Sequence, residues 1–517
     1  MPSTRPSVCI VGAGAAGLTL ATALAGRGWR VTLVEGGVAQ PPAEVEDTYR
    51  ARVVGTPHRG LAEGRFRAWG GSTTRWGGQL WPWEPEEFAS RPEIGVAGWP
   101  IGYDSVARYY APAFALLGVP DATLTPEGAA RRGVSLPPLD PAAVALKYST
   151  WLPWRLRNLG RSLGTALQRL PDVEVRLGTT ALELLVNGDG RATGVRVRGP
   201  GGDEQVLRAD CVVVAAGAVE TARLLLASGR GTAPGNASGW VGRAFMDHLS
   251  VRVAPFRPRD ARAFGRMFAP VFVGMVQHTP RMVIRPALRE RERLLGAYGH
   301  WDVTLPPDSG LLVVRERLRA LQSGRDVLPS ASDLRRLASG ARDVLALARG
   351  LVVDRRRYFP RDAAVHLRVD TEQRPDPESR VTLTDERDAL GLPRVAVDWR
   401  ISELERRTVR RTAELLGAAL DQAGIGELGA APDPFDEAAA WGALRGDSFH
   451  MMGGARMAAS AEAGVTDVDG RVFGTENLYV AGASVFPTGG MANPTLTLIA
   501  LTLRLADHLA RLPASRA

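Results

Sequence analysis

The first 36 residues hold a strand, a glycine-rich turn, a helix and a second strand ending in an acid, and this succession limits the fold more than any other feature of the chain. Residues 8–11 (VCIV) form a short apolar run. Gly12, Gly14 and Gly17 follow as GxGxxG, enclosing Ala15 and Ala16, and Leu18, Ala21 and Leu24 recur at helical spacing toward Gly28. Val31, Leu33 and Val34 make the next strand. Glu35, followed by Gly36, lies about 20 residues past the first glycine, where a ribose-binding carboxylate is expected. The glycines let the backbone approach a pyrophosphate held at the helix N-terminus, and the carboxylate can accept from ribose hydroxyls. A lone GxGxxG says little. With strand, helix, strand and acid in register, it predicts an α/β fold that binds a dinucleotide through Gly12, Gly14, Ala15, Ala16, Gly17, Glu35 and Gly36.

Composition removes several other classes. At 517 residues, 45% hydrophobic and with mean hydropathy −0.08, the chain has core enough for two domains. The net charge of +9 invites a nucleic-acid reading, but Lys147 is the only lysine and the arginines are spread along the chain rather than gathered into a patch. That single lysine, in AVALKYSTW, stands in neither a P-loop nor a pyridoxal motif. Cys9 and Cys211 sit inside apolar runs, so no disulfide framework or metal cluster is expected, and a reducing cytoplasm is. No apolar leader precedes the first strand, and no run approaches the roughly 18 apolar residues of a membrane span.

Gly64–Trp83 packs five glycines and four tryptophans into GRFRAWGGSTTRWGGQLWPW. Arg65, Gly70, Gly71, Ser72, Trp76, Gly77 and Gly78 are predicted to press on a large flat ligand, with the hydroxyls of Ser72, Thr73 and Thr74 serving its polar edges. A glycine-rich packing loop is the alternative. Two apolar strands, VEVRLG and GVRVRG, flank a candidate contact at Ala181 and lead to CVVVAAGAVETARLLLAS, which returns to the nucleotide at Ala216, Gly217 and Glu220. Between 311 and 361, arginines and aspartates alternate with Leu and Val at helical spacing. Acids interrupt the arginines, which favours a solvated face or subunit contact over a membrane-surface helix. AVHLRVD, RVTLTD and RVAVDW alternate as strands of an antiparallel sheet.

The carboxyl end carries the chemistry. NLYVAGAS reads as a last strand ending at Gly482 and Ala483. Asn493, Pro494 and Thr495 then open a helix, with asparagine at the cap and proline in the first turn. The positive end of that helix, set against the pyrimidine edge of an isoalloxazine, would favour charge arriving there. His450, in FHMMGGARM, has an ordinary pKa of about 6.5 and suits a general base; the Asn493 amide can hold a substrate oxygen. Taken singly, a core histidine and a plain helix cap would account for both.

Taken together with GWPIGYDSVARYYAPAF, GWVGRAFMDH, EQRPDPESRVTL, HMMGGARM and NLYVAGASVFPTGGMANPTLT, the chain resembles the glucose-methanol-choline (GMC) oxidoreductases, and within them the pyranose-oxidase-like branch. The resemblance implies FAD and the oxidation of an alcohol to a ketone or aldehyde, with His450 as base and Asn493 as its partner. It implies a Rossmann-like FAD-binding domain (1–100, 160–250, 445–517) and an inserted α+β substrate domain on an antiparallel sheet (101–159, 251–444). Where that branch has Ser-Thr-His-Trp, with the histidine joined to flavin, this chain has Thr73-Thr74-Arg75-Trp76, so the FAD is expected to be noncovalent. Gly482 replaces an aspartate of many relatives. The expected substrate is a sugar, glycoside or aminoglycoside-like metabolite, with a non-sugar alcohol as alternative; the acceptor is oxygen or another carrier, and a homo-oligomer is possible. A flavin monooxygenase, a nicotinamide dehydrogenase and a non-enzymatic FAD-binding protein are the rivals. His248 is expected to buttress the domain junction. His58, His278, His300, His366 and His508 are read as ordinary, with no metal, and Arg456 has no assigned role.

Overall fold

The computed structural model describes all residues except 1–4, 41–46, 121, 230, 323–327, 361, 437–444 and 513–517. Its first sheet is parallel and five-stranded, in the order Leu478–Val480, Cys211–Val214, Ser7–Val11, Arg30–Val34, Val173–Arg176. These strands read as unbroken apolar runs because Val8, Cys9, Ile10 and Val212 to Val214 are buried on both faces. In chain order the strands lie 5-4-1-2-3, so the path reverses direction between the first and fourth. A crevice therefore opens beyond the carboxyl ends of Ser7–Val11 and Cys211–Val214. The turn into helix Ala15–Ala25 needs glycine at two points. Gly12 has φ of 104°, and a Cβ there would fall 2.6 Å from the Ala215 carbonyl oxygen; a Cβ on Gly17 would meet the Gly12 carbonyl at 1.8 Å.

The C-terminal helix Pro494–Leu509 packs on Ala15–Ala25, burying Leu496, Ile499, Ala500 and Leu505 in the same core as the parallel sheet. Tyr109 donates to Asp507 at 2.7 Å and Tyr110 contacts Thr497 at 3.1 Å, so the GYDSVARYYAPAF segment also packs on this helix.

The second sheet is antiparallel. Its path runs Gly426–Leu428, Leu249–Pro258, Ala364–Thr371, Ala297–Thr304, Val276–Ile284, Val144–Trp151, Gln79–Leu80, with Val271–Val273 and Arg445–Asp447 paired alongside. Helix Glu403–Gln422 covers one face and buries Val409, Leu416 and Leu420 in a second core. Ser402 and Glu405 cap it reciprocally.

Two predicted strands lie elsewhere. Arg380–Arg387 and Pro393–Asp398 join Ala51–Val53 in a separate three-stranded sheet. VEVR edges the parallel sheet, while Ala192–Arg198 pairs with Thr180–Val186 and Glu204–Leu207. Alternation reveals which face is buried, not which strand lies beside it. The arginine-rich segment forms helices Gly310–Gln322, Ala331–Ser339 and Ala341–Val352; residues 323–327 and 361 of the predicted stretch lie outside the described residues. Among the described residues no helix is long and apolar enough to cross a membrane.

Candidate active site

The crevice at the reversal of strand order opens into a cavity of about 590 Å³, within the range of a cofactor and substrate site. Its wall carries Gly12, Gly14, Ala15, Ala16, Glu35 and Gly36 from the first βαβ unit and Ala216, Gly217 and Glu220 from the second return. Arg65, Ser72, Trp76, Gly77 and Gly78 come from the glycine-tryptophan segment, Ala181 from its own strand, and Gly482, Ala483, Asn493, Thr495 and His450 from the C-terminal part. Gly17, Gly70, Gly71 and Pro494 do not line this cavity; a Cβ on Gly70 would meet Asn158 and Gly160 at 2.9 Å, and one on Gly71 would meet the Gly14 Cα at 2.9 Å.

Glu35 braces the turn it follows. Its Oε2 accepts from the Ala13 N–H at 2.9 Å and its Oε1 from the Gly37 N–H at 2.8 Å. Arg65 donates to Glu220 at 2.8 Å, and Glu220 is in turn 3.3 Å from Arg223, which reaches Asp388 at 2.7 Å. Arg67 was not anticipated. It stacks on Tyr49 and donates to Gly36 O at 2.9 Å and Thr180 Oγ1 at 2.5 Å, tying the segment to the second strand.

His450 and Asn493 meet. The Asn493 Nδ2 lies 2.9 Å from His450 Nε2. Asn493 is the N-cap residue of the last helix, yet its side chain makes no capping hydrogen bond, because the amide is turned toward the imidazole. Its Oδ1 is buried without a partner. The loop before it is held by Glu87, whose Oε1 accepts from the Met491 and Ala492 N–H groups at 2.9 and 3.3 Å, and by Trp83, which donates to Ala492 O at 3.0 Å. Burial pushes the Glu87 carboxyl up to about 7. Trp83 packs edge to face on Phe88, Trp99 and Phe486, and Trp99 does so on Phe486.

The His450 backbone is fixed from the other side. Asp247 Oδ1 accepts from the Ser448 and His450 N–H groups at 3.2 and 2.9 Å, and Phe449 between them adopts φ of 60°. The other Asp247 oxygen faces His58 Nε2 at 3.2 Å, and His58 Nδ1 faces Asp447 at 3.6 Å. His58 thus has acidic company that the sequence did not show, although each nitrogen meets a different carboxylate, which suits a buried brace better than a shared metal centre. Burial, helped by the neighbouring His248, pushes His450 down to about 4, so its imidazole is neutral over the physiological range.

One face of the antiparallel sheet closes the cavity. Gln79 and Trp151 are cross-strand partners, as are Tyr298 and Asp370, and all four reach the wall. Asp370 accepts from Tyr298 at 2.7 Å and from Ser250, and faces His300 at 3.1 Å. Burial opposes its charge, but His300 and these hydrogen bonds outweigh it and hold the carboxyl well below its usual range. Gln79 Nε2 and Trp151 Nε1 are buried without partners. No local signal in the sequence marks these residues, since long-range strand pairing assembles them.

Family models described as GMC oxidoreductase match residues 159–250 (N-terminal model) and 375–502 (C-terminal model). Among similar curated proteins, 2-methyl-1,2-propanediol dehydrogenase of Mycolicibacterium austroafricanum is 26% identical over 98% of this chain and 95% of its own. Paromamine 6'-oxidase of Streptomyces fradiae is 25% identical over 97% and 91%. In fold, the chain matches the crystal structure of pyridoxine 4-oxidase from Mesorbium loti with a TM-score of 0.57 at 17% identity, covering 98% of this chain and 100% of that one. With the two models matched in order around this cavity, the chain carries the N- and C-terminal domains of the GMC oxidoreductases, a family of FAD-binding flavoproteins, and the curated relatives similar to it are named as a dehydrogenase and an oxidase.

Proposed function

We propose that this protein binds FAD noncovalently along the cavity wall and oxidises a hydroxyl of a sugar, glycoside or aminoglycoside-like metabolite to a ketone or aldehyde. The observation that carries the reading is the meeting of His450 and Asn493 at 2.9 Å on the wall that also carries the dinucleotide turn. The wall suits the cofactor. Glycine backbones line it, two helices begin at it without side-chain caps, and Gln79, Trp151 and Asn493 leave buried polar atoms free for a ligand. Noncovalent attachment is supported by residues 64–83, which contain no histidine, cysteine or tyrosine, and by Arg75, whose guanidinium lies over the Phe66 ring at 4.6 Å.

The bound flavin supplies the acceptor for the hydride. The chain supplies the rest: His450 Nε2 takes the hydroxyl proton, and Asn493 holds the same oxygen so that the C–H bond is aimed correctly. Asp247 and Asp370 offset the positive charge that His450 then carries.

A polar substrate is supported by the unpartnered donors of Gln79 and Trp151 and by the Asp370 carboxylate on the same wall. Paromamine 6'-oxidase points the same way, while the diol dehydrogenase keeps a small non-sugar alcohol as the second reading. The proposed FAD-binding domain, 1–100, 160–250 and 445–517, contains all five parallel strands. The proposed substrate domain, 101–159 and 251–444, contains most of the antiparallel sheet, with Gln79–Leu80 and Arg445–Asp447 crossing between them. Two buried free thiols support a reducing, cytoplasmic setting.

The test is anaerobic mixing of purified protein with a panel of sugars, glycosides, aminoglycosides and small diols while the flavin absorbance is followed. Bleaching by a member of the panel supports the proposal; bleaching by NADPH alone would assign a monooxygenase instead. Acid precipitation should leave the flavin in the supernatant.

A further inference from the structure

Four groups form a row in which each hydrogen bond sets the direction of the next: the Gly489 carbonyl, His248, His450 and Asn493. A carbonyl oxygen only accepts, so His248 Nε2, 3.2 Å from Gly489 O, carries a proton. With its proton on Nε2, His248 presents the lone pair of its other ring nitrogen, Nδ1. His450 Nδ1, 3.0 Å from that lone pair, must donate to it. This leaves His450 Nε2 unprotonated, where it accepts from the Asn493 amide at 2.9 Å. The two rings stand nearly perpendicular, with centroids 4.9 Å apart and an interplanar angle of 79°. Reversing the row would set a lone pair of His248 against the Gly489 carbonyl inside a buried site, an arrangement with no compensating donor.

We propose that His248 is the positioning residue of this site, holding His450 in the tautomer whose Nε2 is free to take the substrate proton. The proposal rests on the assignment of His450 as base but adds a residue that otherwise reads as a structural buttress. It has a chemical consequence. When Nε2 takes the hydroxyl proton, the Nδ1–H of the resulting imidazolium already has its acceptor, so no donor is orphaned as the charge forms. The tautomer is also selected without substrate, so no proton has to change ring nitrogen when an alcohol enters and takes the place of the Asn493 amide at Nε2.

The experiment reads the tautomer directly. Nitrogen-15 NMR of histidine-labelled holoenzyme, with the His450 signals assigned by their loss in His450→Gln, should show the proton on Nδ1 and a bare Nε2. In His248→Asn, whose side-chain oxygen can replace the lost lone pair, that pattern should persist, and anaerobic flavin reduction should stay within roughly tenfold of the parent. In His248→Leu the His450 signal should move toward the Nε2–H form, and reduction should slow roughly a hundredfold at unchanged substrate affinity, the scale of losing a general base. A proton on Nε2 of His450 in the parent protein would overturn the proposal whether or not any variant folds. So would a His248→Leu protein with its FAD bound and an unchanged His450 tautomer. Because the spectrum is read without turnover, failure to find an oxidisable alcohol would count against the proposed function and leave this test standing.

Discussion

Lowering the pH should expose how strongly the site resists charging its base. An ordinary histidine titrates near 6.5, whereas burial and His248 bring His450 to about 4. A depression of about 2.5 units corresponds to roughly 3 kcal/mol against protonation, at about 1.4 kcal/mol per unit. Only neutral His450 can take a proton, so the rate constant for anaerobic flavin reduction at saturating alcohol should be flat from about pH 9 down to about pH 5. Below about pH 4 it should fall about tenfold per unit. Stopped-flow traces across that range measure it. The same shift has a thermodynamic partner. Unfolded chain takes up the proton near 6.5 and folded protein only near 4, so stability is fully present above 6.5 and is lost as pH falls between those values. His278, also pushed down to about 4 by burial, adds to the loss in the same window. A rate profile with its acid limb centred near 6.5 would refute the reasoning, because it would mean that the imidazole is solvated as in a free peptide.

His450→Ala should slow flavin reduction roughly a hundredfold or more in single-turnover mixing, while FAD content and fold are retained. Asn493→Ala should also slow reduction yet lower Tm very little, because the side chain makes no capping bond to lose; a fall in stability of about 1 kcal/mol by denaturant titration would restore the ordinary cap reading. Glu87→Ala strips acceptors from the Met491, Ala492 and Glu84 N–H groups, at about 1–3 kcal/mol for each buried donor left unpaired, and should be seen as a large drop in Tm together with lost activity. Gly12→Ala should yield colourless or unstable protein, since the added methyl falls 2.6 Å from the Ala215 oxygen at a φ that alanine resists; normal flavin content would argue against the tight turn.

Legibility followed locality. Gly12 and Glu35 could be read because close backbone approach demands particular residues at short, fixed spacing, and the helix opening at Asn493-Pro494 was visible for the same reason. The asparagine illustrates the limit. Its sequence context predicts a cap, and only the structure shows the amide turned away to His450. Tyr298, Asp370, Gln79 and Trp151 went unseen because register across the antiparallel sheet puts them on one wall, and alternating hydrophobicity carries no record of register. His248 was legible as part of a motif but not as a neighbour of His450, since the pair is closed by a contact between distant parts of the chain. At Gly17, Gly70 and Gly71 neighbouring backbone lies close, and glycine can answer such crowding as readily as a ligand.

The two walls of the cavity lean on two cores, and Tyr298 belongs to the first of them. The parallel strands, the helix behind Asn493 and Tyr298 share one apolar cluster, whereas Leu249, Val251, Leu367 and Val369 of the antiparallel sheet are anchored with helix Glu403–Gln422 in another. Asp370 bears on the charge of His450 and Tyr298 on the shared core, so Gln79 and Trp151 are the roof positions whose exchange leaves the paired imidazole and amide in place. A lineage built this way can change its diet by repainting a ceiling, without disturbing the floor on which the electrons move.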